Sequence, residues 1–452
     1  MPYVEIHFRL NFSARNYKNA LTGSGASPND ARTPARDGLQ ISPMPKTFFI
    51  LAGEASGDAH AAKLIAQLQT LSPGARCVGL GGPQMSAAGF EAFKDLSRMQ
   101  VVGFWEVVKQ YGFFKRVFYE LLDRVKQCRP DALICVDYPG FNLRFAAEVK
   151  RLGIPVFYYI VPQVWAWKPG RAKKMARTVD RAFCVFDFEP PFFEKFGLRT
   201  EFVGHPLVDV NEHVNEVERP THPVANSVEN NIRTVCFLPG SRASELKHHL
   251  APMLQGFALA RRANPPLRGL FSVPAQFSEH DPLLQPLLDA GAQSIGASGS
   301  RRIFALWAQS DDAAKLTPVY QALNARPESH ARLLPEAADF SVVKSGTSTL
   351  EAGLTGNPLC ALYKGSFASF AIARMVVNIP VFALVNIVLG RYAVPELLQS
   401  EVTAPRIAEE IRRGLFDDAA RAKQIAALAA LKSKLGGPGA SRRAAEGILK
   451  SI

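Results

Sequence analysis

The sequence contains no paired cysteine motif and no long uninterrupted apolar run. Its six cysteines are scattered over 452 residues without a C-x-x-C pair, a pattern that favours a reducing compartment and indicates no zinc site. The first residues include no apolar segment of the kind that a secretory signal has, which argues against export. The most apolar stretch, residues 367–389, is interrupted by Arg374, Asn378, Pro380 and Asn386, which a membrane-spanning helix would tolerate poorly.

Several motifs of hydrolases and nucleotide-dependent enzymes are also absent. A nucleophile elbow needs G-x-S-x-G, but "GEASG" at Gly53 is one residue out of register and "GTSTL" at Gly346 ends in leucine. No Gly-Lys pair occurs, as a P-loop requires, and "GLGGPQ" at Gly79 ends in glutamine, unlike the Rossmann fingerprint. There is no D-x-D motif, the nearest being "DFE" at Asp187, and no histidine or cysteine cluster has metal-site spacing. The sequence therefore predicts no resident metal and no cofactor.

Basic residues are in excess, with 53 Lys and Arg against 40 Asp and Glu and a formal net charge of +13. Such an excess indicates an anionic partner: nucleic acid, anionic lipid or a phosphorylated substrate. With 47% hydrophobic residues, the chain is long enough to bury two cores. Residues 1–43 are polar with little periodicity, and a strand-like run follows Met44 directly. We interpret residues 1–43 as a disordered extension or an over-long gene prediction.

Strand-like apolar runs alternate with helical patterns, which is typical of βαβ units and a parallel sheet. The runs are Phe48–Ala52, Ala132–Tyr138, Val156–Val161 and Ala182–Phe186, followed by Thr234–Gly240, Gly269–Ala275, Phe340–Gly346 and Pro358–Tyr363. The polar segment between the two series predicts a linker at 210–232. We therefore expect an α/β protein with two doubly wound, Rossmann-like domains, 44–209 and 233–405, facing across a cleft. Residues 406–452 form a helical tail, and ligands bind at the carboxyl ends of the strands.

Two loops of the second series have the composition of phosphate-binding turns. In "LPGSRASE", Gly240, Ser241 and Arg242 directly follow a strand, and helix-start N–H groups with a guanidinium suit a diphosphate. The alternative is a plain turn with an exposed arginine. "KSGTSTLEAG" (Lys344–Gly353) repeats the pattern with small hydroxyl residues. Its Glu351 either accepts from a ribose hydroxyl or favours the helix dipole.

Acidic side chains follow strands of the first series. In "VDYPGFN", Asp137 ends an apolar strand, where a carboxylate acts as a general base or caps the next helix. In "GEASGD", Glu54 and Ser56 lie on the first strand-to-helix turn. We interpret that turn as a wall of the acceptor side, with Glu54 as an acceptor ligand or a partner of Asp137.

Two further motifs of the first series stay open between function and structure. His205 in "FVGHPLVD" lies in a strand-end turn before the linker, and it is either catalytic or structural. Trp165 and Trp167 in "VPQVWAWKPGR" lie between prolines, and they either pack a wall of the cleft or stack on a ligand, packing being the default.

A helical pattern that begins near Gly103 carries more aromatic residues than one packed face needs. The expected stripe is Phe104, Val107, Val108, Tyr111, Phe114, Phe118, Leu121, Leu122 and Val125. Phe113 and Tyr119, together with Lys109, Lys115 and Arg116, fall largely outside it. Surplus aromatics beside basic groups indicate a membrane-surface or acyl-chain contact, the alternative being an ordinary amphipathic helix.

Taken together, these stretches resemble the lipid-A-disaccharide synthases, inverting glycosyltransferases of bacterial outer-membrane lipid assembly. The motifs occur in order from Met44 to about Glu410: "LAGEASGD", "GLGGPQM", "VVGFWEVV", "VDYPGFN", "VPQVWAWK", "FVGHPLVD", "LPGSR", "SGTSTLE" and "VPELLQ". The resemblance implies a metal-independent enzyme of the GT-B fold with a C-terminal helix that crosses back to the first domain. It also implies that UDP-2,3-diacylglucosamine and 2,3-diacylglucosamine 1-phosphate are joined into a β-1,6-linked disaccharide 1-phosphate with release of UDP.

Carried onto this chain, the resemblance assigns the donor to the second domain and the acceptor to the first. The residues implied for UDP are Gly240, Ser241, Arg242, Ser345, Gly346, Thr347, Glu351, Asn386, Glu396 and Gln399. The acceptor and lipid side comprises Ser56 with Phe104, Val107, Val108, Tyr111, Phe113, Lys115 and Arg116. We expect Asp137 as the general base, with Glu54 as the second candidate. We also expect peripheral association with the anionic cytoplasmic face of the inner membrane; oligomeric state and acyl-chain length stay open.

The chain departs from the family pattern in a few places. "PGFN" stands where many members have "PDFN", "LVN" (384–386) replaces the usual "LPN", and Lys344 precedes "SGT" where a small residue is frequent. Residues 276–332 depart most. The main alternative is another GT-B enzyme of UDP-sugars, such as a UDP-N-acetylglucosamine 2-epimerase. A non-enzymatic nucleic-acid binder is the other alternative, suggested by the charge and by "KPGRAKKMAR" (Lys168–Arg177); we expect no nucleic-acid partner.

Overall fold

A computed structural model of the chain describes residues 45–95, 111–167, 169–209, 232–264, 266–298, 301–306, 334–365 and 380–452. These residues form two α/β domains, each built on one sheet. The expected extension at 1–43, nearly all of the expected linker, and Phe104, Val107, Val108 and Lys109 lie outside the described residues. The exact domain boundaries therefore stay a prediction.

The first domain is a parallel sheet in the order β3-β2-β1-β4-β5-β6-β7. Its strands are β1 Thr47–Ala52, β2 Arg76–Gly81, β3 Glu91–Asp95, β4 Ala132–Val136, β5 Val156–Tyr159, β6 Arg181–Cys184 and β7 Thr200–Phe202. Its helices are α1 Ala55–Leu71, α2 Pro83–Ala87, α3 Tyr111–Cys128, α4 Pro139–Arg151, α5 Val164–Trp167, α6 Gly170–Thr178 and α7 Glu189–Glu194. The strand order reverses between β1 and β4, which is the switch point where ligands bind in such sheets.

Both faces of the central strand β1 are buried, because its alternate residues pack on different helices. Phe48, Ile50 and Ala52 contact one apolar cluster, which includes residues of α1 and of the C-terminal helix α15 (Ala440–Leu449). Phe49 and Leu51 contact the opposite cluster, which includes residues of α3 and α4. The uninterrupted apolar run of β1 is therefore explained by helices on both sides of the sheet.

The second domain is a mixed sheet in the order β10-β11-β9-β8-β12-β13-β14. Its strands are β8 Arg233–Leu238, β9 Leu267–Pro274, β10 Gln293–Ser298, β11 Arg301–Leu306, β12 Phe340–Lys344, β13 Leu359–Tyr363 and β14 Glu396–Leu398. Its helices are α8 Ala243–Ala263, α9 Gln285–Asp289, α10 Ser348–Leu354 and α11 Leu384–Leu389, with 3₁₀ turns at Pro282–Leu284 and Gln399–Glu401.

A doubly wound sheet was expected, and the pairs that join β9, β8, β12, β13 and β14 are parallel. Strand β11, however, runs antiparallel to both β9 and β10. The cause is the short connection: β10 ends at Ser298 and β11 begins at Arg301, whereas a parallel pair needs a crossover of a dozen or more residues. This hairpin lies in the region that departs most from the family pattern.

The C-terminal tail begins on the second domain and ends on the first. Its helices are α12 Ala404–Phe416, α13 Asp418–Leu428, α14 Leu431–Lys434 and α15 Ala440–Leu449. Helix α12 packs along α8, and α14 packs on α10 and α11, whereas α15 packs along α1 of the first domain. The expected crossing of a C-terminal helix back to the first domain is confirmed.

The crossing segment is fastened to the end of the first domain by a group of polar contacts that we call the C-terminal clasp (residues 203–209 and 435–443). The Arg443 guanidinium donates to the carbonyl of Val203 at 2.7 and 2.9 Å and to the carbonyls of Gly437 and Pro438. The Asp209 carboxylate accepts from the N–H groups of Gly439 and Ala440. The two places where the chain passes between the domains are thus tied together.

We predict that Arg443→Met lowers the free energy of unfolding by about 2–4 kcal/mol, because several carbonyls lose a charged donor at once. The neighbouring Arg442→Met is the matched control, since Arg442 is exposed and, among the described residues, pairs with Glu446 along the same helix; it should change stability by less than about 0.5 kcal/mol. Urea denaturation measures both. Equal effects of the two variants would show that the clasp contributes nothing to stability.

Candidate functional site

Two carboxylates follow neighbouring strands at the switch point of the first sheet. Glu54 and Asp137 follow β1 and β4, whose last residues, Ala52 and Val136, are paired in register. Burial, and secondarily the charge of Glu54, raise the pKa of Asp137 to about 6, against the opposing effect of the Tyr138 N–H. A carboxyl group whose pKa lies close to neutral pH suits proton transfer.

The turn that carries Asp137 is strained and firmly held. Asp137 and Tyr138 have φ values of 47° and 48°, a left-handed conformation that is uncommon for residues with a side chain. The carbonyl of Asp137 accepts from the Asn142 amide at 2.8 Å and from the Tyr158 hydroxyl at 2.6 Å. Gly53 makes room for this turn, since a Cβ there would lie 2.0 Å from the Tyr138 ring. Asn142 ends the "VDYPGFN" motif, and sequence reasoning gave it no role.

The other polar residues of the first turn have different surroundings. Ser56 is exposed in the first turn of α1, which has Glu54 at its N-cap. Asp58 is buried, and its carboxylate accepts from the N–H groups of Gly82, Gln84 and Met85. Asp58 therefore joins α1 to the start of α2, a bracing role that holds the edge of the sheet in place.

Trp165 packs edge-on against Phe188, and its indole N–H donates to Glu189 at 3.1 Å. Glu189 belongs to the "DFE" triplet, the nearest approach to a metal motif, but its carboxylate accepts from Trp165 and from the N–H groups of Val185 and Phe186. Burial raises the pKa of Glu189 to about 8, while these three donors favour the charged form. These contacts confirm that Trp165 packs; the side chain of Trp167 lies outside the described residues.

His205 is buried within the C-terminal clasp. Its ring packs on Phe186, and its Nδ1 accepts from the backbone N–H of Leu207. The backbone N–H of His205 donates to the carbonyl of Leu435. Burial, with a smaller effect of His60, lowers the pKa of His205 to about 3. The imidazole is therefore neutral near pH 7, and its contacts favour the structural alternative.

In the second domain, one carboxylate connects the first loop (Gly240–Arg242) to the second (Ser345–Thr347). Glu245, in the first turn of α8, accepts from the Ser241 N–H at 2.8 Å and pairs with Lys344 at 2.8 Å. Burial alone would raise the pKa of Glu245, but Lys344, the Ser241 N–H and Arg242 together lower it. Gly240 has a φ of 130°, and a Cβ there would lie 2.5 Å from the Glu245 carboxylate. Glu245 thus fixes the loop, and sequence reasoning did not assign it.

His249 connects the residue before the first loop to the residue after β13. Its Nδ1 lies 2.8 Å from the carbonyl of Pro239, and its Nε2 accepts from the N–H of Lys364 at 2.9 Å. Since Nε2 accepts, Nδ1 carries the proton and the ring is neutral. Burial lowers the pKa of His249 to about 4. The end of β13 is thereby held against the loop that contains Gly240.

The second loop places Ser345, Gly346 and Thr347 between β12 and α10. Gly346 has a φ of 151°, Thr347 is exposed at the helix N-cap, and the Ser345 hydroxyl donates to the carbonyl of Phe382. One buried carboxylate oxygen of Glu351 has no hydrogen-bond partner among the residues that the structure describes. Burial raises the pKa of Glu351, and Arg301 opposes that shift.

The buried Asn386 and the half-buried Glu396 form a brace at the start of β14. The Asn386 amide donates to Glu396 and to the carbonyl of Val394, and its oxygen accepts from Ala393 and Val394. Glu396 also accepts from the N–H groups of Phe382 and Ala383. Both side chains therefore hold protein groups, and their direct contact with UDP stays a prediction.

Gln399, unlike Asn386 and Glu396, uses only part of its hydrogen-bonding capacity within the described residues. Its backbone has a φ of 50°, and its Oε1 accepts a long bond from the Gly365 N–H. Its Nε2 is buried, and no hydrogen-bond partner for it lies in the described part of the chain. Gln399 thus keeps a donor at the sheet edge where the two loops end.

Helix α3 follows the expected stripe in part. Leu121, Leu122 and Val125 are buried against the sheet as expected, and so is Val117, which the stripe did not include. Phe114 and Phe118 are half-buried beside them, but so is Phe113, which was expected outside the stripe. Tyr119 (41% exposed), Lys115 and Arg116 lie on the outer face. Of Tyr111 only the backbone is described.

The described residues offer neither a metal site nor a membrane-spanning helix. In that part of the chain, no group of three or more His, Cys, Asp or Glu side chains could hold a metal ion. Among the same residues, no helix combines the length and apolar character needed to cross a bilayer.

Comparisons with known proteins agree with the resemblance. A family model described as lipid-A-disaccharide synthetase matches residues 48–295 and 313–447. The lipid-A-disaccharide synthase of Anaeromyxobacter dehalogenans is 41% identical over 408 residues, which cover 89% of this chain and 96% of the relative.

Two solved structures share the architecture at low identity. The UDP-GlcNAc 2-epimerase of Neisseria meningitidis, bound to UDP-GlcNAc, has a TM-score of 0.54 and 12% identity, over 90% of this chain and all of that chain. CalG4, the calicheamicin glycosyltransferase, has a TM-score of 0.51 and 14% identity, over 90% of this chain and 99% of that chain. At such identities the likeness shows the fold alone, which is the GT-B fold.

We predict that the neutral state of His249 makes stability depend on pH. An unfolded histidine titrates near 6.5, so the contribution of His249 is complete above that pH. It is lost at about 1.4 kcal/mol per pH unit as the pH falls from 6.5 toward 4. The destabilisation caused by His249→Asn should accordingly be largest at pH 7 and shrink toward pH 4.5.

Urea denaturation at several pH values measures this effect, with His280→Asn, at an exposed position, as the control. A destabilisation by His249→Asn that stays constant between pH 7 and 4.5 would contradict the prediction.

Proposed function

The chain belongs to the lipid-A-disaccharide synthase family, and from this membership we propose how its two sheet edges divide the family's reaction. It is a glycosyltransferase of lipid A disaccharide synthesis. Its substrates are UDP-2,3-diacylglucosamine and 2,3-diacylglucosamine 1-phosphate, which it joins through a β-1,6 linkage with release of UDP. The 2-epimerase alternative is not favoured, because that likeness rests on 12% identity whereas the synthase relative is 41% identical.

We propose that Asp137 is the general base. Its carboxylate takes the proton of the acceptor 6-hydroxyl, the oxygen attacks the anomeric carbon of the donor, and the bond to the diphosphate breaks with its electron pair going to UDP. The observation that carries this proposal is the position of Asp137 at the switch point, after a strand that pairs with the strand before Glu54. The pKa of Asp137 at this place is about 6. At neutral pH such a group is mostly ionised and still basic enough to accept a proton.

The donor side is proposed for the second domain. Arg242 and the N–H groups around Gly240–Arg242 and Ser345–Thr347 would stabilise the leaving diphosphate as its charge develops. Glu351, with an unpartnered buried oxygen, and Gln399, with an unpartnered buried N–H group, suit the ribose and the remaining polar groups of UDP. Asn386 and Glu396 support that side through the amides of Phe382 and Ala383.

The acceptor side and the membrane contact are proposed for the first domain. Ser56 lies exposed beside Glu54, and α3 carries Lys115 and Arg116 on its outer face beside the partly exposed Phe113. Basic and aromatic side chains on one helix suit an anionic lipid surface. We therefore propose peripheral association with the cytoplasmic face of the inner membrane.

One experiment tests the activity directly. Purified protein is incubated with UDP-2,3-diacylglucosamine and 2,3-diacylglucosamine 1-phosphate, and the disaccharide 1-phosphate is sought by mass spectrometry. Turnover of the UDP-sugar without the acyl acceptor would instead favour an epimerase. Tight, steeply salt-dependent binding of DNA or RNA without UDP binding would favour the nucleic-acid alternative.

We predict that Asp137→Asn lowers kcat by about 10²–10⁴-fold, because the amide cannot accept the proton. UDP affinity should change by less than about threefold, since the donor side lies in the other domain. Near-normal turnover with unchanged donor binding would contradict this role.

Glu54→Gln separates the two candidates for the base. If Asp137 is the base, this variant stays active. The acidic limb of its pH–rate profile moves to lower pH, because burial still raises the pKa of Asp137 but the smaller effect of the Glu54 charge is gone. A loss as large as that expected for Asp137→Asn would make Glu54 the base.

We predict that Lys115→Ala with Arg116→Ala weakens binding to anionic vesicles about 5- to 30-fold, at about 1 kcal/mol per basic residue. The measurement is sedimentation with vesicles containing phosphatidylglycerol at low and high salt. Lys173→Ala with Lys174→Ala removes the same charge from exposed positions of α6, and it should have a smaller effect. Equal losses for the two double variants would show that binding depends on net charge and not on α3. A wild-type protein that does not bind anionic vesicles at low salt would overturn the proposed membrane association.

A further inference from the structure

The antiparallel strand β11 brings one arginine to the edge of the second sheet where the nucleotide loops lie. Arg301 is the first residue of β11 and pairs in register with Pro274, the last residue of β9. Because β11 runs against β9, its amino end lies where the parallel strands have their carboxyl ends. In a fully parallel sheet, the first residue of a strand would lie at the opposite edge.

Arg301 holds one peptide unit of the first loop together with Glu245. Its guanidinium Nη1 donates to the carbonyl of Gly240 at 3.1 Å. The N–H of Ser241, the other end of the same peptide unit, donates to the Glu245 carboxylate at 2.8 Å. Since both polar ends of this planar unit are bound, its orientation is fixed. The direction of the Gly-Ser-Arg turn, and with it the start of α8 and Arg242, depends on these two contacts.

The same arginine also places positive charge between the two loops. Burial lowers the pKa of Arg301, and the carboxylates of Glu351 and Glu245 oppose that shift. Glu245 is already paired with Lys344, which is only 13% exposed. Among the described residues, one buried oxygen of Glu351 has no hydrogen-bond partner. In this described group the three basic side chains, Arg301, Lys344 and Arg242, outnumber the two carboxylates, which leaves net positive charge at the edge that is proposed for the diphosphate.

We propose that Arg301 is a positioning residue for the donor diphosphate, acting through the Gly240 carbonyl and through its own charge. This inference rests on the proposed function, because it takes UDP to be the ligand of this edge. It assigns a role to a residue that lies in the hairpin where the sequence departs most from the family pattern. Its action is specific for the phosphates of the nucleotide, since the contact that it controls is the turn before α8.

The test compares the affinities of UDP and of uridine, which lacks the phosphates. Arg301→Met should weaken UDP binding about 10- to 100-fold, the range of a lost charge-assisted contact, while uridine binding changes by less than about threefold. Arg301→Lys should lie between the two, because it keeps the charge without the planar fork. Calorimetric titration with UDP, and competition by uridine, measure these affinities.

Arg302→Met is the matched control, because Arg302 is the next residue of the same strand and pairs with Glu279 instead. It should bind UDP like the wild type. Equal UDP affinities of Arg301→Met and Arg302→Met would overturn the proposal, and so would parallel losses of UDP and uridine, which mean general damage. If Arg301→Met does not fold, Arg301→Lys decides by the same ratio.

The outcome for the wild type separates the two proposals. A wild-type protein that forms the disaccharide and binds UDP, with an Arg301→Met variant that binds UDP equally well, would overturn only the role of Arg301. A wild-type protein that neither binds UDP nor forms disaccharide would overturn the proposed function and the role of Arg301 together.

Discussion

The parallel pairing of β1 with β4 is the constraint on which the proposed acceptor-side chemistry depends. It places Glu54 and Asp137, 83 residues apart in the sequence, at adjacent strand ends. Burial, and secondarily the charge of Glu54, disfavours the ionised form of Asp137, so the pKa of Asp137 is raised. The fold maintains this arrangement with the bonds of Asn142 and Tyr158 to the Asp137 carbonyl and with the space that Gly53 leaves for Tyr138.

In the second domain, buried charges and one neutral histidine hold the loops instead. Glu245 joins the first loop to Lys344 before the second, and His249 joins the first loop to the end of β13. Lys344 stands where the family frequently has a small residue, and its pairing with Glu245 gives that departure a structural purpose. A buried ion pair of this kind is costly when one partner is removed, by about 3–5 kcal/mol, so the two loops are expected to keep their relative position.

The C-terminal clasp joins the end of the first domain to the segment that returns from the second domain. Arg443 and Asp209 bind backbone groups on both sides of the crossing, and His205 is buried against the same segment. A catalytic role was open for His205 on the sequence alone, because a histidine in a strand-end turn fits either reading. The ring of His205 is buried and neutral, and its backbone N–H donates to the carbonyl of Leu435. Both observations favour a structural role at the C-terminal clasp.

The sequence by itself determined the class of the fold, the order of its elements and the family, because apolar runs, turn residues and ordered motifs are local properties of the chain. It also placed Asp137, Glu54 and the two loops at strand ends, since parallel strands share one ligand-binding edge. Only the tertiary structure decided which side chains brace and which stay unpartnered. Asn386 and Glu396 turned out to bind each other, and an antiparallel hairpin brings Arg301 to the edge that is proposed for the nucleotide. Both depend on contacts between residues distant in the chain, which no local pattern encodes.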